Sequence, residues 1–176
     1  MKIMNKFQKK LANRKKDNKG FSLVELIIVI AIMAVLVVVL APQYLKYVER
    51  SRNSTDASNA TSIVTALQVW AADPNAGENN EAGETTTAFK KNDTCTITVA
   101  KDGGTIADGS GKNAALSALK EASITIGDVK CKSKTNWTSY IITATVQANG
   151  SLKIEYTSTP GATGGGADPF ATAMTK

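Results

Sequence analysis

Glu25 stands alone as a charge at the head of an apolar run. Residues 26–41 are 16 consecutive apolar residues. Counted from Phe21 the span is 21 residues, about 31 Å as a helix, enough to cross a hydrocarbon core of about 30 Å. A carboxylate in lipid costs a few kcal/mol on insertion scales, so Glu25 needs a partner or a task unless it sits near enough to the interface to reach water. Other reactive types are scarce. Histidine is absent, which removes the commonest general base, the Ser–His and Cys–His nucleophile pairs and the usual zinc ligand. Cys95 and Cys131 lie 36 positions apart with no CxxC motif, which excludes a zinc ribbon or a thioredoxin-like centre. The string from Asp102-Gly103-Gly104 to Gly111-Lys112 fails as a phosphate loop, with Ile106 where Gly is needed and Asn113 where Ser or Thr is needed. Asp102 and Asp108 have the oxygen chemistry for Ca²⁺ without EF-hand spacing, and a solvated loop is the expectation there. The residue types disfavour an enzyme, and neither a cofactor nor a metal is expected.

The charge distribution is lopsided. Of the 21 Lys and Arg and 15 Asp and Glu, residues 1–20 hold eight bases and one acid, for +7. The remaining chain has 13 bases and 14 acids, for −1. A nucleic-acid-binding body would spread its cations over the fold, so no specific nucleic acid is expected. A cationic leader, an apolar span and a near-neutral body place the N-terminus in the cytoplasm and the chain beyond residue ~45 outside. Pro42-Gln43-Tyr44-Leu45 after Ala41 is a poor site for an ordinary signal peptidase, so the span should be retained.

Lys19-Gly20-Phe21-Ser22-Leu23-Val24-Glu25-Leu26, between a basic leader and about sixteen apolar residues, closely resembles the class III signal of type IV pilins and pseudopilins. The resemblance covers residues 14–50. It implies cleavage between Gly20 and Phe21 by a membrane-embedded prepilin peptidase, N-methylation of Phe21 by the same enzyme, and assembly through Phe21 and Glu25. Pro42 matches the helix-bending proline of many such subunits. The implied function is structural: a pilin, of a size that suits a major subunit, forming a helical homopolymer through residues 21–70. It would meet an assembly platform and minor pilins, start as a single-pass protein of the cytoplasmic membrane, and end in a cell-surface fibre for adhesion, aggregation or twitching motility. The alternative is a pseudopilin of type II secretion or DNA uptake. Physics supports the cut independently. Glycine leaves the scissile backbone open, and a freed Phe21 amine is a cation that Glu25 of a neighbour could pair in an apolar bundle.

These residues need a stem and a head. Helical spacing continues past Pro42 through Tyr44, Tyr47 and Val48, then Ala57, Ala60, Ile63, Val64, Leu67 and Trp70, and stops at Asp73-Pro74. The stem therefore runs over 21–72, with 21–41 as the membrane and fibre-core part and a bend or local melting at Pro42. Glu49, Arg50 and Arg52 form a charged cluster expected beside lipid headgroups, or pairing between subunits. The head covers 73–158. It begins with a loop over 73–93, then a half-buried strand over 94–99, a helix over 113–122 burying Leu116 and Leu119, and a weak strand over 124–131. A hairpin of 140–147 with 151–157 follows, turning at Asn149-Gly150. The expected fold is α+β and pilin-like, a long N-terminal helix packed on a small antiparallel sheet. Residues 159–176, with a Gly-rich run, read as a flexible tail. Cys95 and Cys131 lie outside the membrane and are expected to be bonded, the alternative being two buried apolar residues.

Overall fold

The computed structural model describes residues 21–77, 87–160 and 168–175. The leader, the middle of the 73–93 loop and most of the Gly-rich run lie outside the described residues. The chain divides into two compact units, Met1–Tyr44 and Leu45–Lys176.

Helix α1 spans Leu23–Ala72. Its residues are helical without interruption through Pro42, so the melting considered there is absent. In the first unit, α1 is apolar on every side, and its large side chains range from 50% exposed at Val29 to 74% at Val38. An all-round apolar helix wants an apolar surrounding that the described residues of this unit do not supply. The helix is long and apolar enough to cross a membrane.

In the second unit, α1 is amphipathic. Ala60, Ile63, Val64, Leu67 and Trp70 are buried, the i, i+3, i+4 stripe that the sequence predicts. The stripe packs on a four-stranded antiparallel sheet of order β2-β1-β3-β4. Strand β1 is Thr94–Val99, β2 Gly104–Ile106, β3 Trp137–Val146 and β4 Leu152–Pro160. Period-two alternation buries Cys95, Ile97 and Val99 on β1 and Tyr140, Ile142, Ala144 and Val146 on β3. The β3–β4 hairpin closes at Val146↔Leu152, with Gly150 at φ +83° supplying the turn. The architecture is α+β, a long N-terminal helix on a small antiparallel sheet.

Three local differences have physical causes. Helix α2, Lys112–Glu121, buries Ala114, Ala115, Ala118 and Leu119, whereas Leu116 is 43% exposed. Three small alanines bring the helix close to β1, and the inward stripe they share with Leu119 excludes Leu116. Residues 124–131 contain no strand but a single 3₁₀ turn at Ile126–Asp128. That turn crosses the β1–β2 bend where Gly103 has φ +143°, and a Cβ on Gly103 would lie 2.4 Å from the carbonyl oxygen of Gly127. Backbone there meets backbone, which leaves no room for a side chain.

The third difference is in the tail. Residues 159 and 160 extend β4, and α3, Pro169–Met174, docks on the sheet. Asp168 caps α3 by accepting from the Phe170 and Ala171 amides, and Pro169 occupies the first turn. Phe170 is fully buried, stacked on Tyr140 at 4.4 Å and edge-on to Trp137 at 5.2 Å. The described end of the chain is thus part of the core, not a flexible tail.

Candidate functional site

At the start of α1, Ser22 and Glu25 satisfy each other's end of the helix. The Ser22 amide donates to Glu25 Oε2 at 2.9 Å, and the Val24 amide donates to Ser22 Oγ at 3.4 Å. This is the reciprocal arrangement of a capping box, and the sequence Ser22-x-x-Glu25 before an apolar run is its signature. Glu25 therefore has a local task in the uncut chain besides its place in the apolar span. Phe21 is exposed beside it, while Gly20 lies outside the described residues.

The second unit holds a different pair of carboxylates, Glu49 and Asp56, two helical turns apart on one side of α1. Both grip the segment that leads into β3. Asp56 is fully buried. Its Oδ1 accepts from the Lys132 amide at 2.7 Å, and its Oδ2 from the Ser133 amide at 2.9 Å and the Trp137 Nε1–H at 2.9 Å. The Cys131 thiol donates to the same oxygen at 3.5 Å. Glu49 Oε1 accepts from Ser133 Oγ at 2.7 Å and from the Lys134 and Thr135 amides at 2.8 and 3.0 Å. Arg52 pairs with its other oxygen at 3.4 Å. Residues 132–135 form no ladder with a strand, so their N–H groups need acceptors from elsewhere. The two carboxylates supply them and fasten that segment to the helix.

With this geometry in view, the sequence of residues 15–41 matches one known family, the prokaryotic N-terminal methylation motif. The chain carries that motif. It is the class III signal of type IV pilin-like and pseudopilin proteins, and it implies processing by a prepilin peptidase. No curated protein and no solved structure matches the chain. A pilin-type motif points to a structural protein rather than an enzyme. The motif with its apolar helix fits membrane anchoring before assembly.

The methylation motif brings Gly20, Phe21 and Glu25 together by sequence adjacency alone. Pro42 stands apart, inside the helix. Cys95 and Cys131 are free thiols, both buried, so the expected disulfide is not formed. Cys95 is an inward residue of β1, and the Cys131 thiol is directed to Asp56. Burial pushes Cys95 up to about 11. Burial followed by the nearby Asp56 charge pushes Cys131 up to about 12. Neither is a ready nucleophile. Within the charged cluster, Glu49 holds its own chain's 133–135 segment and pairs with Arg52, while Arg50 is exposed. Asp108 pairs with Lys112, and no metal-ligating cluster exists among the described residues. Asp56 escapes a reading by composition. Its signal is a carboxylate on the stripe that continues to Ala60, Ile63 and Leu67.

The Glu49 grip makes the head sensitive to acid. Burial raises the Glu49 pKa, but the Ser133 hydroxyl and the Thr135 and Lys134 amides outweigh it and hold the group at about 2, against an ordinary 4.5. Asp168 is likewise lowered, its amide and hydroxyl donors outweighing burial. Both groups bind fewer protons folded than unfolded. Their contribution is complete above about pH 5 and is lost as pH falls, for Glu49 through its folded value of about 2. Urea unfolding of the full chain in detergent, followed by tryptophan fluorescence, should give midpoints that fall steadily below pH 5. The Glu49→Gln variant should start lower and show a shallower fall. A midpoint independent of pH from 6 to 3 would contradict the assignment.

Proposed function

We propose that this chain is a structural subunit, a major pilin, of a bacterial type IV pilus. The observation that carries the reading is the methylation motif continuing into a helix whose apolar side chains over 23–40 find no partner among the described residues of their own unit. The +7 leader keeps the N-terminus cytoplasmic while the helix lies in the membrane. A prepilin peptidase cuts between Gly20 and Phe21 and methylates the new Phe21 amine. The subunit then leaves the bilayer through an assembly platform, with minor pilins starting the fibre. Residues 21–40 exchange lipid for the same segment of other copies, and packing of these faces supplies most of the cohesion. Glu25 of each copy pairs with the Phe21 amine of a neighbour, which sets register more than it adds strength. The fibre presents the head outside the cell for adhesion, aggregation or twitching.

Intact-mass measurement of the chain from cells should find a start at Phe21 with one added methyl group, and Gly20→Val should accumulate the uncut precursor. Peptides from residues 1–19 in sheared surface material would overturn the processing step. Recovery of the mature chain in sheared filaments supports a pilin. Retention in the envelope with none in the sheared fraction supports a pseudopilin instead.

A further inference from the structure

Beside the fastened segment runs an open groove of about 670 Å³. Its walls carry Arg52, Lys101, Lys132 and Lys134 together with Ser51 and Thr55, and no carboxylate lines it. The lysines face solvent for a structural reason. Cys131 and Ser133 point inward and are buried, so Lys132 and Lys134 alternate outward. Among the described residues, no carboxylate forms an ion pair with Lys101, Lys132 or Lys134. Glu49 and Asp56 lie behind the groove with their oxygens on the 132–135 amides, Trp137 and Arg52. Four cations against those two carboxylates leave a net +2 on a concave surface, which favours an anionic occupant.

A matching concentration of acid lies elsewhere in the same chain. From residue 53 to residue 89 there is no Lys or Arg, while Asp73, Glu78, Glu81 and Glu84 fall within twelve residues. The described ends of that stretch lie by the end of α1, away from the groove along the stem. The far end is held near the end of α1, where Trp70 Nε1 donates to the Thr87 carbonyl at 3.0 Å and the Thr87 amide donates to Ser117 Oγ at 3.2 Å. Ten peptide units separate Gly77 from Thr87, so a chain drawn out and back reaches only about 18 Å from these anchors. The stem residues of the groove precede Trp70 by 15 to 19 positions, about 22–28 Å along the helix.

We propose that the lysine-lined groove at 51–55, 101 and 132–134 receives residues 73–84 of a second copy of this chain. This rests on the polymerising subunit proposed above. One end of the stem then presents the acid and a point two to three nanometres lower presents the base. Copies displaced along a fibre axis bring the two into contact repeatedly. The contact is polar and exposed, so it selects register and neighbour more than it holds the fibre together.

Zero-length carbodiimide coupling tests it, applied to sheared filaments of the full mature chain and to the same chain dispersed in detergent. Filaments should give a ladder of covalent multimers, with peptides joining Glu78, Glu81 or Glu84 to Lys101, Lys132 or Lys134. Dispersed chain should give none. The triple variant E78Q/E81Q/E84Q, which leaves the Glu49 and Asp56 contacts untouched, should abolish the ladder and lower filament yield about tenfold. K132Q/K134Q should do the same from the other side. Normal yield in both variants, with no such peptides from wild-type filaments, overturns the inference and leaves polymerisation standing. Loss of yield in K132Q/K134Q alone, again without cross-linked peptides, assigns the groove to another anion and overturns the second copy as occupant. Absence of filaments from the wild-type chain removes the polymer reading and this inference together.

Discussion

Replacing Asp56 with alanine should cost the head about 3–5 kcal/mol, a large share of the 5–15 kcal/mol that stabilises a domain of this size. The effect comes from the donors left behind. Truncation strands the Lys132 and Ser133 amides and the Trp137 indole N–H, none of which gains an acceptor when the carboxylate goes. Asp56→Asn should fall short of rescue. Its amide offers one oxygen, and placing that oxygen at the Trp137 and Ser133 side turns an N–H₂ group toward the Lys132 amide. Urea unfolding of the full chain in detergent should show both midpoints lowered, alanine more than asparagine. Hydrogen exchange should show the Lys132 and Ser133 amides losing protection before the β1–β3 ladder does. A double-mutant cycle with Trp137→Phe isolates the indole bond, whose coupling should be about 1.5–3 kcal/mol. An Asp56→Ala midpoint equal to wild type would show that water or a local shift replaces the acceptor. The long-range grip would then be dispensable.

The contrast between Asp56 and its neighbours explains what sequence could and could not give. The stripe Ala60, Ile63, Val64, Leu67 and Trp70 and the alternation on β1 and β3 are periodic, and periodicity reports burial directly. The methylation motif is local, because Gly20, Phe21 and Glu25 fall within six residues. Asp56 obeys the helical period but breaks the polarity rule, and its donors lie 75 to 81 residues later in the chain. Only the fold brings that 131–137 segment to it. Glu49 was open to a membrane reading for the same reason, since Arg50 and Arg52 are its visible neighbours and Ser133 is not. The C-terminal helix was hidden by context. Asp168-Pro169 is a sound helix start, but it follows a glycine run and lasts six residues, too short for a convincing period. Phe170 is ordered by Tyr140, Trp137 and Tyr156, which the hairpin gathers. The two cysteines show the limit of compartment reasoning: the expected topology would let a disulfide persist, yet the fold turns one into the sheet and the other to a carboxylate.

Glu25→Ala should abolish surface fibres while leaving the subunit in the membrane. The residue has two tasks in the proposed mechanism, and they separate by substitution. It accepts from the Ser22 amide at the start of α1, and it is proposed to pair with the methylated Phe21 amine of a neighbour. Alanine removes both. Loss of the capping contact costs about 0.5–2 kcal/mol, whereas removing a charge from an apolar span favours insertion by a few kcal/mol. Membrane retention should therefore be unchanged or improved, and cleavage after Gly20 should continue. Glutamine keeps the capping box, since its side-chain oxygen can accept from the same amide, but it cannot neutralise an ammonium group. If capping were the main task, Glu25→Gln would form fibres normally and Glu25→Ala would form them poorly. If pairing is the main task, both fail alike, because an incoming Phe21 amine remains an unpaired cation among apolar helices. The measurement is fibre yield after shearing, beside the amount of mature subunit in the membrane fraction, in cells lacking the wild-type chain. Abundant fibres from Glu25→Ala would show that the carboxylate is dispensable to assembly, with packing of residues 21–40 sufficient to set register.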